Sequence, residues 1–250
     1  MVYQVDFYPI PIVSIKLILK SSDHHKFNLD AKTDITCLHQ GQLWLGSHGE
    51  DTFIGVGAFK TAHTATLILT NPMASGIGSR VPDNIMIKCP YLHRPDQFNE
   101  PPYNQLGVKK ECEKLFHKAN ILYWAKVFFK LAEDFVTKRI RNAPEPLPFT
   151  IPSIHFIDAS FTFQYPMNLW ARGPKVTTVD AAYLCKEEIP DANTEFTKFI
   201  HNGNCVPLVK PGKPEYDVTQ FLAFIQHVQY VKTKGLAYVS DYQGQYIPLM

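Results

Sequence analysis

The sequence has little charge and no run of one sign. Charged residues make up 19% of 250, and 25 lysines and arginines against 23 aspartates and glutamates leave a formal net charge of +2. So even a balance carries no nucleic-acid footprint, and Lys109, Lys110, Lys138, Arg139 and Arg141 read as solvated helix positions. Cysteines are few and unpaired in pattern. The five, Cys37, Cys89, Cys112, Cys185 and Cys205, form neither a disulfide framework nor a Cys-x-x-Cys metal pair, which points to a reducing compartment and a cytoplasmic protein. Long apolar runs are also missing. The nearest, Phe7 to Leu19, is interrupted by Pro9, Pro11 and Lys16 and lacks a small-residue cleavage site, so it reads as one or two strands and neither as a signal peptide nor as a membrane span. There is no internal repeat and no low-complexity tract. What remains is a chain with 45% hydrophobic residues, enough to bury the core of one large soluble domain or of two small lobes.

Periodicity divides that chain. Thr52 to Phe59, Thr64 to Thr70 and Asn84 to Cys89 are apolar, β-branched or alternating segments that predict an antiparallel sheet. Residues 93–107 hold three prolines without an apolar period and read as an exposed loop. From Val108 to Arg141 the period becomes helical, with Leu115, Ala119, Leu122, Tyr123, Ala125, Val127, Leu131 and Phe135 at three-to-four spacing, as one long helix or the same helix broken once. Pro144, Pro146 and Pro148 stop it. Strands follow at Ile154 to Phe163 and Thr178 to Cys185, with the aromatic stretch Phe156 to Tyr165 as core. Asp217 is the expected cap of a helix from about Val218 to Thr233, Gly235 its end, and Leu236 to Ser240 the last strand. A hinge is expected near 186–192.

Three places carry candidate chemistry. In Ile54-Gly55-Val56-Gly57-Ala58-Phe59-Lys60-Thr61, two glycines would let backbone amides approach an anionic phosphate, with Lys60 adding charge. It is not a Walker A loop, because Ala58 and Phe59 stand where glycine must precede the lysine and a strand follows in place of a helix; an ordinary hairpin turn is the plainer account. Lys88 ends an apolar strand about thirty residues later, where a protein kinase places an ammonium against nucleotide phosphates, or where any strand-end lysine reaches water. Asp241 and Gln243, two residues apart on a Gly244-closed loop, offer hard oxygens of the kind Mg²⁺ takes; an aspartate capping its own turn offers the same pattern. Other groupings are weaker. His24, His25, Cys37 and His39 match no tight zinc spacing, and Ser75-Gly-Ile-Gly-Ser79 is a turn and not a nucleophile elbow.

Taken in order, these segments resemble the α-kinase family of atypical protein kinases. Gly55-Val-Gly-Ala-Phe-Lys-Thr-Ala-His63 resembles its glycine-containing turn before an A-H dipeptide, and Ile87-Lys88-Cys-Pro-Tyr91 its V-K-R-P-Y strand. Ala119-Asn-Ile-Leu-Tyr-Trp-Ala125 is similar to A-x-x-L-Y-W-A, Phe196-Thr-Lys-Phe-Ile-His-Asn202 to F-x-K-Y-x-x-N, and Asp241-Tyr-Gln-Gly244 to D-L-Q-G. The resemblance covers roughly residues 50–250 and rests on the five matches jointly. It implies an α+β, two-lobed protein-kinase-like fold: a strand-rich extension over 1–49, an N-lobe over 50–185, and a hinge with a mixed, incomplete C-lobe over 186–250. It further implies ATP and Mg²⁺ as cofactors and Ser/Thr phosphorylation of a protein partner, with neither nucleic acid nor membrane involved. Residue by residue, Lys88 would hold the nucleotide phosphates under the Gly55, Gly57 and Lys60 turn. Glu187 or Glu188, in Tyr183-Leu-Cys-Lys-Glu-Glu188, would meet the adenine, although Lys186 departs from the acidic pair expected there. Asp241 would stand beside the transferred phosphoryl group and Gln243 would help bind Mg²⁺.

Several family features are expected past Asp241. A second aspartate, in an L-T-D-P motif ten residues on, falls one position after Met250; a glycine-rich peptide loop and the His and Cys-x-x-x-Cys cluster of a structural Zn²⁺ site lie further still. His227 corresponds to the one zinc ligand supplied by the preceding helix, and one histidine cannot make a tetrahedral site. Two functions are therefore open: an ATP-dependent Ser/Thr kinase, or a catalytically inert kinase-like module that binds a nucleotide or a protein.

Overall fold

A computed structural model describes residues 1–20, 38–46, 52–57, 59–93, 103–166, 178–189, 196–203 and 205–246. The elements are β1 (Val2–Pro9), α1 (Ile15–Lys20), β2 (His39–Leu45), β3 (Phe53–Val56), β4 (Lys60–Leu69), β5 (Asp83–His93), β6 (Tyr103–Gln105), α2 (Val108–Arg141), β7 (Ala159–Tyr165), β8 (Ala181–Glu187), β9 (Thr197–Lys198), α3 (Tyr216–Lys232) and β10 (Gln243–Gly244). The fold is α+β. The chain forms two compact units, the first from Met1–Pro11, Lys26–Tyr123 and Ile157–Glu188, the second from Ile12–His25, Trp124–Phe156 and Ile189–Met250. Each of the three linear segments expected from the sequence contributes to both. No helix among the described residues is long and apolar enough to cross a membrane.

The first unit is built on an eight-stranded sheet of order β3-β4-β2-β1-β7-β8-β5-β6, in which β4 also pairs with β5. That extra antiparallel pairing, Lys60 opposite Pro90 through Leu67 opposite Asp83, closes six strands into a barrel. Side chains alternate along each strand, so the register divides them into two faces. Inward go Val5, Phe7, Leu43, Leu67, Leu69, Ile85, Ile87, Tyr183 and Cys185, the core of the unit. A polar seam runs among them: the Tyr183 hydroxyl donates to Gln164 Oε1 at 2.6 Å, and Cys185 Sγ donates to Thr162 Oγ1 at 3.3 Å. Outward go Phe161 and Leu184, directly opposite each other. Phe116 of α2 meets Phe161 edge to face at 6.1 Å, so α2 lies against this outer face. The turn at 75–79 is held by Asp83, whose Oδ2 accepts the Gly78 amide at 2.7 Å; Gly78 has φ +84, open to glycine without strain.

The second unit centres on α3, whose Leu222, Ile225 and Val228 pack with Phe129, Ala132, Phe199, Ile200 and Tyr242. Two buried glutamines of α3 face the chain that follows it. Gln226 Nε2 donates to the Val239 carbonyl at 2.7 Å, Gln229 Oε1 accepts the Val239 amide at 2.8 Å, and Gln229 Nε2 donates to the Tyr242 hydroxyl at 3.1 Å.

Several expectations change. Leu236 to Ser240 is not a strand, because those glutamines and Thr233, whose Oγ1 bonds both the amide and the carbonyl of Ala237, satisfy the backbone that a neighbouring strand would have paired. Phe7 to Leu19 is not all strand: β1 stops at Pro9, and Ser14 starts α1, its Oγ accepting the Lys16 amide. Asp217 is not the cap of α3 but lies in its first turn, after Glu215, which makes no side-chain cap bond. Helix α2 runs unbroken for 34 residues, and 103–105, expected in a loop, form β6. Strands β7 and β8 begin at Ala159 and Ala181, later than expected. Segments 94–102 and 190–195, with most of the expected loop and the last part of the expected hinge, lie outside the described residues, as do His24, His25 and Cys37.

Gln229 thus holds the buried Tyr242 hydroxyl and the part-buried Val239 amide. Gln229→Leu leaves the Val239 amide and the Tyr242 hydroxyl without partners and is expected to destabilise the chain by about 2–3 kcal/mol. Denaturant unfolding together with hydrogen exchange over 236–244 measures it; wild-type stability with undiminished protection there would contradict the role assigned to Gln229.

Candidate functional site

The β3–β4 turn is closed by the Gly57 amide donating to the Lys60 carbonyl at 2.9 Å, and Tyr91 of β5 ties it down, its hydroxyl donating to the Gly57 carbonyl at 2.6 Å. Nothing in the turn itself requires its glycines. Neither has a positive φ; a Cβ at Gly55 would meet nothing within 4 Å, and one at Gly57 only the Lys60 carbonyl at 3.8 Å. Space over the turn is open, which is what close approach of a ligand to backbone needs. Ala58 lies outside the described residues.

Lys60 and Lys88 stand on one face. Lys88 is opposite Ala62, and Lys60 is two residues from Ala62 on the same strand, so both side chains leave the outer face of the barrel as diagonal neighbours about 7–8 Å apart at the backbone. Both are half-buried. Burial first, then repulsion from Lys118 of α2 and from Lys88, pulls Lys60 down to about 8, and burial also lowers Lys88. Three cations therefore meet here. The buried carboxylate of this helix, Glu111, is engaged elsewhere, with Oε2 accepting the Ala182 amide at 3.3 Å, and burial raises its own affinity for a proton. The thiols next to this face are poor nucleophiles: burial pushes Cys89 up to about 12 and Cys185 to about 11.

Of the two adenine candidates, Glu187 is tied to its own unit. Its Oε2 accepts the Asp158 amide at 3.1 Å and its amide donates to the Asp158 carbonyl at 3.0 Å. Glu188 is exposed.

In the second unit Asp241 adopts φ +61, a left-handed conformation that aspartate tolerates better than most residues. Buried Tyr242 fixes the next position, its carbonyl accepting the Phe199 amide at 2.9 Å, and Gln243 then pairs with Lys198 in a two-stranded ribbon. The result brings Lys198 Nζ to 2.8 Å from Asp241 Oδ1. This bears on magnesium. Asp241 and Gln243 have oxygens of the right kind, but an ammonium already holds the one carboxylate, and among the described residues no three His, Cys, Asp or Glu side chains gather. Asp241 and Gln243 thus remain the oxygens on offer to a divalent ion here, with the carboxylate in a solvent-exposed ion pair. His227 is exposed on α3.

Sequence reasoning missed Lys118 and the partnership of Lys198. The second had a signal, since Lys198 stands inside the F-x-K segment; the first had none, because Lys118 looks like any half-exposed helix lysine.

The chain matches no protein-family model and no curated protein sequence. Among solved structures it is similar to the α-kinase domain of myosin heavy chain kinase A in complex with ADP, at 14% identity and a TM-score of 0.48 over 98% of this chain and 79% of that one. It is also similar to a mutant catalytic domain of the same kinase, at 12% identity and a TM-score of 0.48 with the same coverage. Likeness at this level leaves the chemistry to be argued from the residues.

Proposed function

We propose that the chain binds the phosphates of ATP on the outer face of the barrel and acts as a protein kinase of α-kinase type, passing the γ-phosphoryl group to a serine or threonine hydroxyl of a protein. The observation that carries this reading is the placement of Lys60 and Lys88, half-buried on one face beside an open glycine turn, with Lys118 among the charges that act on Lys60. Half-buried cations that raise each other's cost are the mark of a site completed by an anion. In the reaction the hydroxyl oxygen bonds to the γ-phosphorus as the bond to the β-phosphate bridge breaks, ADP leaves with the electron pair, and the hydroxyl proton is given up. Little covalent help is needed, so positioning and charge are what the protein supplies. The resemblance to the family implies Asp241 as the residue that would act on the transferred group.

A second reading, a kinase-like module that holds nucleotide without transferring phosphate, is favoured by the ion pair between Lys198 and Asp241.

Millimolar ATP is expected to raise the thermal midpoint of the purified chain, because a ligand that binds only the native state stabilises it, and Lys88→Met is expected to abolish the rise. A folded sample that shows no shift refutes nucleotide binding. Transfer of labelled γ-phosphate to a mixed protein substrate, lost in Asp241→Asn, supports the kinase; binding without transfer by the wild type leaves the second reading. Gly57→Ala is expected to keep the thermal midpoint within a few degrees, since its Cβ meets only one atom, at 3.8 Å, while weakening ATP several-fold by holding the phosphates off the turn. Equal ATP affinity in this variant would remove the turn from the site.

A further inference from the structure

We propose that Lys118 of α2 is a third phosphate-binding residue, forming with Lys60 and Lys88 a cradle that takes a nucleoside polyphosphate without a divalent metal. The proposal rests on the reading that this face binds nucleotide phosphates, and adds to it which residue completes the site and which form of the ligand it accepts.

The argument starts from register. Lys88 lies opposite Leu184 of β8, and Leu184 lies opposite Phe161 of β7, so all three side chains leave the same outer face in one row. Phe116 of α2 contacts Phe161 at the far end of this row. The helix thus covers the face on which the two strand lysines stand, and Lys118, half-buried two residues beyond Phe116, is near enough to Lys60 to depress its proton affinity directly. Among the described residues, the charges that act on Lys60 are Lys118 and Lys88, burial is what acts on Lys88, and β3, the other neighbour of this part of β4, has no ionisable side chain. A protein kinase usually sets a glutamate of this helix against its strand lysine; Glu111, the carboxylate near the start of α2, bonds the Ala182 amide.

Charge then decides the form of the ligand. Three ammonium groups match the three to four negative charges of a free triphosphate; a magnesium complex carries about two fewer and would leave part of the repulsion unrelieved. The sign of the pH dependence follows. In the empty site Lys60 is charged below about pH 8 and loses its proton as pH rises through that value. An arriving anion favours the charged form, so binding near pH 8 takes up protons and affinity falls at higher pH.

Calorimetric titration of the full chain with ATP, in excess EDTA and in excess Mg²⁺, at pH 7 and pH 9 and in two buffers of different ionisation heat, tests this with Lys118→Met and Lys118→Arg alongside the wild type. The inference expects metal-free ATP to bind at least as tightly as its magnesium complex, with proton uptake near pH 8 and weaker binding at pH 9. Lys118→Met should bind about tenfold more weakly while Lys118→Arg, which keeps the charge, stays within about threefold of the wild type. Wild-type affinity in a folded Lys118→Met chain, or binding of the magnesium complex alone, overturns the inference and leaves the nucleotide reading standing. If a folded wild-type chain binds ATP in neither form, both fall.

Discussion

Everything in the first unit depends on the register between β4 and β5. With Ala62 opposite Lys88 and Ala65 opposite Ile85, the barrel closes with isoleucines and leucines inside and lysines outside. A slip of one residue on either strand would turn Lys60 or Lys88 into the interior and Ile85 and Ile87 out of it. An ammonium in that interior costs several kcal/mol unless it is paired or gives up its proton, whereas burying one isoleucine contributes about 1.5–3 kcal/mol. Those opposed terms select one register. The same register places Lys60 and Lys88 on one face two positions apart, so the constraint that forms the core also assembles the charged site.

The second unit solves a different problem. Its chain after α3 has almost no sheet to join, and its polar backbone must still be satisfied. Gln226 and Gln229, both fully buried, act as the missing strand for residues 237–242. A glutamine can do this because its amide both donates and accepts, so Gln229 takes the Val239 amide on one side and offers a hydrogen to Tyr242 on the other. Anchoring Tyr242 in turn dictates what Asp241 can do. The residue before a buried tyrosine, at φ +61, projects its carboxylate across the short ribbon to Lys198. The geometry of the candidate acidic residue is thus set by Gln229, which anchors Tyr242, together with the short ribbon that pairs Gln243 with Lys198.

How much of this the sequence declared depends on the range of the interaction responsible. Strands β3, β4 and β5 and the length of α2 were legible because alternation and helical period are written over consecutive residues. Lys60 and Lys88 were legible in the same way, each embedded in a short pattern. Leu236 to Ser240 misled because its composition suits a strand, while the competing hydrogen bonds come from side chains about ten residues earlier in the chain, across the turn at Gly235. The start of α1 was hidden under the apolar character of Phe7 to Leu19, although Ser14 just past Pro11 was a capping signal. Lys118 was illegible for a stronger reason. Its partner Lys60 is 58 positions away, and only the packing of α2 on the outer face brings the two together.

The contrast between the two units' lysines sharpens what each can do. Lys198 is half-exposed and ion-paired with Asp241, an arrangement worth no more than about 1 kcal/mol between solvated groups, so neither partner gains much by leaving the other or by staying. Lys60 and Lys88 are in the opposite condition: both are partly desolvated, and among the described residues the charges that act on Lys60 are those of Lys118 and Lys88. Folding tolerates that cost because the register leaves no alternative place for Lys60 and Lys88. Loss of the Lys60 proton above about pH 8 relieves it, and so would a bound anion, whose affinity would gain by that relief. The lysines of the first unit are therefore held in place by the strand register, while the carboxylate of the second unit is held in a solvent-exposed ion pair, so the two charged clusters owe their geometry to different interactions.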